Sequence, residues 1–140
     1  MLDKIFIDTN IIIYSYSNNE LYKQEKANNL FFKASDKLNV STQVISELSN
    51  ILFRKFNQSA KQIEDVILEL DNVFQICSIS LSMQLKALEI KERYLLSYFD
   101  SLIIANALEN KGTILYSEDM QHDLIIEEQL RIINPFKNIK

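Results

Sequence analysis

Short apolar runs alternate with longer segments of helical periodicity along the whole chain. The runs are typical of buried strands and lie at residues 5–7, 38–40, 74–77, 113–116 and 130–133. Between them, apolar residues recur every three or four positions, as they do on the buried face of a helix. The alternation predicts the order β-α-α-β-α-α-β-α-α-β-α-β, and hence a mostly parallel sheet with helices on both faces.

Several of the predicted helices have recognisable starts. A helix is expected over about residues 21–37, and Ser59 with Gln62 has the spacing of a capping box for another. Residues 120–128 are expected to form a loop that could include a short helix. Ser80 caps a helix whose leucines are expected to face the core, namely Leu81, Leu85 and Leu88, with Leu95 as a further candidate.

Four acidic residues follow predicted strands or open predicted helices. Asp8 comes directly after the first strand, and Asp119 follows the strand at 113–116. Glu47 and Asp100 lie in the first turns of two helices. In a parallel sheet these positions share one edge, where α/β proteins bind ligands, so we expect the carboxylates to converge there. Each acid also has an ordinary structural role to play, in helix capping or in favourable interaction with the helix dipole.

Gathered carboxylates repel one another, and only a cation gives them a reason to converge. Oxygen ligands suit Mg²⁺ or Mn²⁺, which can activate a water for phosphodiester hydrolysis. Thr9 and Ser117 offer supporting hydroxyl groups. Positive side chains that could contact phosphate close to this edge are Arg54, Lys55, Lys91 and Arg93.

Composition narrows the classes of function. The chain has 140 residues and is expected to form one domain over 1–140, with ordinary hydrophobic (47%) and charged (24%) contents. Its single cysteine, Cys77, fits a reducing cytoplasm, and no apolar run is long enough to span a bilayer. One glycine excludes Gly-rich phosphate loops, and one histidine excludes a Cys/His zinc site. The net charge of −4 argues against non-specific nucleic-acid binding but not against a nuclease.

Four short motifs occur in a recognisable order. They are residues 6–10 (FIDTN), 44–48 (VISEL), 99–105 (FDSLIIA) and 116–122 (YSEDMQH), followed by NPF at 134–136. Together they resemble the PIN-domain ribonucleases, and specifically the VapC-type toxins of bacterial toxin–antitoxin pairs. Each motif alone is weak, but the resemblance covers the whole chain. It departs from the family at Asp123, where a glycine is expected and a left-handed backbone is one possible requirement.

The resemblance implies a PIN-like three-layer α/β/α fold with a mostly parallel central sheet of four to five strands. It implies an Mg²⁺- or Mn²⁺-dependent endoribonuclease that hydrolyses RNA with a metal-activated water. Asp8, Glu47, Asp100 and Asp119 take the family's catalytic and metal-binding positions. It also implies a homodimer and a VapB-type antitoxin that reaches into the active site.

Other functional classes remain to be weighed. A catalytically silent PIN-like module that binds protein or RNA is the main alternative, although such a module has little use for four repelling carboxylates. A receiver-like phosphoacceptor domain needs an aspartate after a middle strand, where this chain has Ser78. A phosphatase of the Asp-x-Asp-x-Thr type is disfavoured because Asn10 stands at the second aspartate position.

Overall fold

The computed structural model describes residues 3–17, 19–33 and 38–137. Within these residues one sheet has the strand order β3-β2-β1-β4-β6-β5. Its strands are β1 (Ile5–Ile7), β2 (Leu38–Ser41), β3 (Phe74–Cys77), β4 (Ile114–Tyr116), β5 (Ile125–Ile126) and β6 (Leu130–Ile133). All neighbours pair in parallel except β5, which is antiparallel to β6. The predicted α/β fold with a mostly parallel sheet is confirmed, with six strands rather than four to five.

The helices pack in two sets around this sheet. In chain order they are α1 (Thr9–Tyr16), α2 (Leu21–Lys33), α3 (Thr42–Lys55), α4 (Ala60–Val73), α5 (Leu81–Tyr94) and α6 (Tyr98–Glu109). Helix α1 packs against α2 and α3, α3 packs against α4, and α5 packs against α6. Helix α6 is buried along most of its length. Among the described residues, none of the helices combines the length and apolar character needed to cross a membrane.

Strand register and helix caps decide which residues meet at the carboxyl edge of the sheet. In the parallel pair β1–β4, Ile7 lies opposite Tyr116, so the residues that follow these two strands leave the sheet side by side. Serine caps then determine where four of the helices start. Each cap hydroxyl accepts a hydrogen bond from the N–H three residues on, at Ser41, Ser59, Ser80 and Ser97. The capping box predicted for Ser59 and Gln62 is confirmed.

The predicted inward face of α5 is wrong. Leu81, Leu85 and Leu88 are 71%, 61% and 53% exposed, and Leu95, which follows the helix, is exposed as well. The side chains that α5 buries are instead Met83, Ala87 and Ile90. The leucine spacing is helical, but spacing alone does not say which of two apolar faces meets the core. Helix α5 therefore presents a row of leucines to solvent.

The segment after β4 also differs from expectation. Residues 120–128 contain no helix; they form turns and the short strand β5, which pairs with β6 through a turn at Glu127 and Glu128. Both turn residues have a left-handed backbone, with φ of 51° and 57°. The predicted last turn of the second helix, at residues 34–37, lies outside the described residues.

Asp123 occupies the left-handed conformation suspected from the sequence, with φ of 67°. Its Oδ1 accepts a hydrogen bond from Nε of Arg131 at 2.9 Å, and its N–H donates to the carbonyl oxygen of Ile132 at 2.8 Å. The neighbouring His122 accepts the N–H of Asn134 on Nδ1 at 3.0 Å. These contacts pin the loop after β4 to β6, and they direct the Asp123 carboxylate to Arg131.

Substitutions at Asp123 separate backbone strain from the ion pair. Asp123→Ala and Asp123→Gly both remove the contact with Arg131, but only alanine keeps a Cβ at positive φ. We expect the alanine variant to be less stable than the glycine variant by about 1 kcal/mol. Urea denaturation measures this difference. Equal stability of the two variants would show that the left-handed backbone costs nothing here.

Candidate active site

Asp8 leaves β1 as an almost completely buried carboxylate, only 5% exposed. Its Oδ1 accepts a hydrogen bond from the N–H of Thr9 at 2.7 Å, and its Oδ2 accepts one from the hydroxyl of Ser117 at 2.8 Å. Ser117 is buried at the end of β4, beside β1. Asp8 thus caps α1 and at the same time places a charged group at the carboxyl edge of the sheet.

Glu47 lies in the second turn of α3 and is half-buried. Its Oε1 accepts a hydrogen bond from the hydroxyl of the buried Thr9 at 3.1 Å. One turn earlier on α3, Gln43 donates through Nε2 to the carbonyl oxygen of Phe99 at 3.0 Å. These two contacts tie α3 to the start of α1 on one side and to the first turn of α6 on the other.

Asp100 is held at the start of α6. Its N–H donates to the hydroxyl of the N-cap residue Ser97 at 3.1 Å. The carboxylate of Asp100 is half-buried and close enough to Asp8 and Glu47 to raise the pKa of both. The first turn of α6 therefore contributes a third acid to the same edge.

The loop after β4 is held through consecutive side chains. Asp119 is exposed and accepts a hydrogen bond from the Asn10 amide of α1. One turn further along α1, the Tyr14 hydroxyl donates to Glu118, which also pairs with the Lys23 ammonium group of α2. The Lys23 ammonium group lies 4.6 Å from the centre of the Tyr14 ring. Helices α1 and α2 thereby determine where Asp119 sits.

The carboxylates at this edge repel one another. Burial is the main cause that raises the pKa of Asp8 to about 6, and the charges of Asp100 and Glu47 add to it against the lowering hydrogen bonds. Burial likewise raises the pKa of Glu47 and Asp100, with the charge of Asp119 contributing to both. In the described part of the chain no lysine or arginine pairs with any of these four acids. The site concentrates negative charge without compensating it.

The oxygen-rich donor set suits a hard cation, but the acids are not closed around one point. Four carboxylates and the Thr9 and Ser117 hydroxyls offer only oxygen ligands, which Mg²⁺ and Mn²⁺ prefer. Across residues 3–17, 19–33 and 38–137, no three His, Cys, Asp or Glu side chains form a group arranged to hold a metal ion. The donor chemistry therefore fits such an ion, although the arrangement is more open than a preformed metal centre.

The basic residues singled out from sequence lie away from direct contact with the acids. Arg54 and Lys55 are exposed in the last turn of α3, and Lys91 and Arg93 are exposed in the last turn of α5. The Arg93 guanidinium lies 5.5 Å from the centre of the Tyr94 ring. Their role as phosphate contacts stays a prediction.

Two polar residues of the site were not among the sequence candidates. They are Asn10 of α1 and Gln43 of α3. Gln43 precedes Glu47 by four residues, and that spacing on a helix was the available signal for it. The contact between Asn10 and Asp119 joins residues more than a hundred positions apart, so nothing local in the sequence indicates it.

Comparison with known proteins identifies the family. The sequence matches the PIN domain family over residues 5–125. The chain therefore belongs to the PIN domain family, as the motifs suggested. No curated protein matches the chain by sequence.

Solved structures share the fold at low sequence identity. A toxin–antitoxin complex from Klebsiella pneumoniae superposes with a TM-score of 0.73 at 19% identity, over 94% of this chain and 98% of that one. VapC20 from Mycobacterium tuberculosis, described as a Sarcin-Ricin loop cleaving toxin, gives 0.68 at 18% identity, over 83% and 90%. VapBC2 from Rickettsia felis, bound to a promoter DNA fragment, gives 0.66 at 15%, over 93% and 98%. These likenesses establish the shared fold.

The raised pKa of Asp8 predicts that this residue destabilises the metal-free protein. Because the folded-state value of about 6 exceeds the ordinary 3.8, the charged form is penalised above pH 6, and the penalty is relieved as the pH falls towards 4. In EDTA at pH 8, Asp8→Asn should therefore be more stable than the wild type, by an amount of the order of 3 kcal/mol at most. The difference should shrink between pH 6 and pH 4.

Urea denaturation across this pH range measures the effect. Asp71→Asn is the matched control, since Asp71 is an exposed acid on α4 and its removal should give no such pH-dependent gain. An Asp8→Asn variant that is less stable than the wild type at pH 8 would contradict the assignment of Asp8 as a strained carboxylate.

Proposed function

We propose that this PIN-domain protein is an Mg²⁺- or Mn²⁺-dependent endoribonuclease, the VapC-type toxin of a type II toxin–antitoxin pair. The observation that carries the proposal is the uncompensated cluster of Asp8, Glu47, Asp100 and Asp119 at the carboxyl edge of the sheet. Burying repelling charges costs stability, and a bound divalent cation would offset this cost and could act on an anionic substrate. The toxin–antitoxin proteins that share the fold support the same reading.

In this proposal the four acids hold the divalent ion, directly or through water. When bound, the ion would supply activation of a water molecule and stabilisation of charge on the leaving oxygen. The chain's own contribution is to hold the acids in place. Ser117 and the Thr9 N–H orient the two oxygens of Asp8, and the Thr9 hydroxyl orients Glu47. The Asn10 amide holds Asp119, and Ser97 caps the helix that carries Asp100.

The same arrangement controls protonation. Burial keeps the pKa of Asp8 near 6, so at neutral pH the carboxylate is charged but easily neutralised by a proton or a cation. The Ser117 hydroxyl donates a hydrogen bond to Asp8, and its oxygen accepts a hydrogen bond from the N–H of Met120 at 3.4 Å. The hydrogen bonds that Asp8 accepts from Ser117 and from the Thr9 N–H favour the charged carboxylate that a metal ligand needs.

A PIN-like module that binds without cleaving remains the second candidate. The observation that favours it is the lack, among the described residues, of three acids already arranged around a metal position. Against it stands the cost of keeping four mutually repelling carboxylates. Weak divalent-metal binding and unchanged RNA would support this second reading.

Cleavage of total RNA distinguishes the two functions. With Mg²⁺ or Mn²⁺ we expect discrete fragments from the wild type and at least a 100-fold loss of rate for Asp100→Asn, because the amide cannot supply the negative charge that a cation requires. EDTA should abolish cleavage. Denaturing gels of RNA incubated with equal amounts of each protein provide the measurement.

Two controls make the cleavage result interpretable. Asp71→Asn removes an exposed acid of α4 and should cleave like the wild type. Asp100→Asn, purified in parallel, should be inactive. This difference between the two variants would exclude a contaminating nuclease. Thermal unfolding with added Mn²⁺ reports binding without turnover. Identical RNA patterns from wild type and Asp100→Asn would overturn the nuclease proposal.

We further propose that the protein forms a homodimer through α5 and that an antitoxin inhibits it. The solvent-facing row of Leu81, Leu85 and Leu88 on α5 supports self-association, because contiguous apolar side chains are usually covered by another protein surface. The row follows i, i+4, i+7 spacing on one side of the helix. The antitoxin partner is supported by the toxin–antitoxin complexes of the structural relatives.

A charge placed in the leucine row tests the dimer. Leu85→Lys should convert a dimer of 16.4 kDa chains into monomers, since a buried lysine in an apolar interface is costly. Light scattering after gel filtration gives the mass. Gln84→Lys adds the same charge at the neighbouring exposed position and should leave the dimer intact. A wild-type monomer, or an unaffected Leu85→Lys dimer, would exclude this interface.

A further inference from the structure

An exposed aromatic ring stands beside the acidic site. Phe99 directly precedes Asp100 in the first turn of α6, and its side chain is 62% exposed. Single exposed apolar side chains are common on protein surfaces and need no explanation by themselves. Of the large apolar residues that are exposed in the described part of the chain, however, Phe99 is the one adjacent in sequence to an acid of the site.

The backbone and the ring of Phe99 are both held. Its carbonyl oxygen accepts the hydrogen bond from Gln43 of α3, the helix that carries Glu47. Its ring meets the Tyr98 ring edge to face, with centroids 5.5 Å apart and planes at 70°. Tyr98 in turn packs against a buried cluster of α5 and α6 side chains. Phe99 is thus anchored at the rim of the site while most of its ring surface is open to solvent.

We propose that Phe99 is a stacking platform for an unpaired RNA base next to the phosphodiester that the site cleaves. The inference rests on the proposed nuclease function and adds a contact that determines which RNA is accepted. Aromatic rings stack on the faces of bases, and this mode of recognition favours single-stranded loops over duplexes. Removing one stacking ring from a single-strand site typically lowers affinity about 5- to 100-fold.

The position of Phe99 suits this role better than that of the other exposed phenylalanines in the described part of the chain. Phe32 lies on α2, and Phe53 and Phe56 lie at the far end of α3, beyond Glu47. Phe99 and Asp100 are consecutive in the first turn of α6, so a base stacked on Phe99 would lie close to the helix start that carries this acid. The acids cannot attract RNA, so an apolar contact at the rim supplies affinity that their charge does not.

Tryptophan fluorescence tests the contact directly, because the chain contains no tryptophan. Phe99→Trp introduces the only tryptophan of the chain, whose emission is separable from that of the tyrosines, and Glu47→Gln in the same chain prevents turnover while Mg²⁺ is present. Titration with a single-stranded RNA oligonucleotide should quench this fluorescence, and a duplex of the same sequence should quench it much less. Phe32→Trp in the same Glu47→Gln chain is the control. Phe32 is 90% exposed in the last turn of α2 and not beside an acid of the site, so its fluorescence should not respond to RNA.

A substitution series separates stacking from general apolar contact. In the Glu47→Gln chain, Phe99→Tyr should leave the affinity for the oligonucleotide about unchanged, whereas Phe99→Leu should weaken binding about 5- to 100-fold. Urea denaturation should show all the variants folded, since the ring is largely exposed. The stacking role would be overturned if Phe99→Leu did not change the RNA affinity of the Glu47→Gln chain. It would also be overturned if RNA quenched the Phe32→Trp and Phe99→Trp variants equally.

The remaining outcomes separate this proposal from the nuclease proposal. If the wild type cleaves RNA but Phe99→Leu changes neither affinity nor cleavage pattern, the stacking inference alone fails. If that variant instead changes only the oligomeric mass, the ring makes a protein contact and the inference also fails. If the wild type neither binds nor cleaves RNA, both proposals fall together.

Discussion

Burial of the Asp8 carboxylate is the constraint on which the rest of the site depends. A charged group this deep in the protein is tolerated only when hydrogen bonds replace its water. The N–H of the next residue, Thr9, and the Ser117 hydroxyl do so, and Ser117 is within reach because β1 and β4 are paired neighbours in the sheet. Even so, the pKa of Asp8 stays near 6, which shows that the compensation is incomplete.

The surrounding acids are held by structure that does not itself carry the charge. Thr9 holds Glu47, Ser97 fixes the start of the helix that bears Asp100, and Asn10 holds Asp119. Helices α3 and α6, which carry Glu47 and Asp100, start at the serine caps Ser41 and Ser97, so the positions of these two acids follow from where capping occurs. Strand register and helix starts therefore determine where the acids lie. The mutual repulsion of the carboxylates acts against this arrangement.

Much of this could be predicted because the signals are local. Apolar runs mark the strands, and capping residues such as Ser59 and Ser80 mark helix starts. The strand β5 was missed because it has only two residues and exists through pairing with β6. The orientation of α5 was predicted wrongly because Leu85 and Met83 are both apolar, and which of them is buried depends on how α5 packs against α6. Side-chain contacts such as that of Asn10 with Asp119 depend on the finished fold.

The charge distribution links the proposed metal to the proposed substrate. A phosphodiester is an anion, and it would approach Asp8, Glu47, Asp100 and Asp119 against their repulsion. The exposed arginines and lysines on α3 and α5 lie in the last turns of those helices and pair with none of these acids in the described chain. Attraction at the site itself must therefore come from a cation held by the acids, or from contacts that do not depend on charge. The exposed ring of Phe99 is a contact of the second kind, and this is why its position beside Asp100 carries weight.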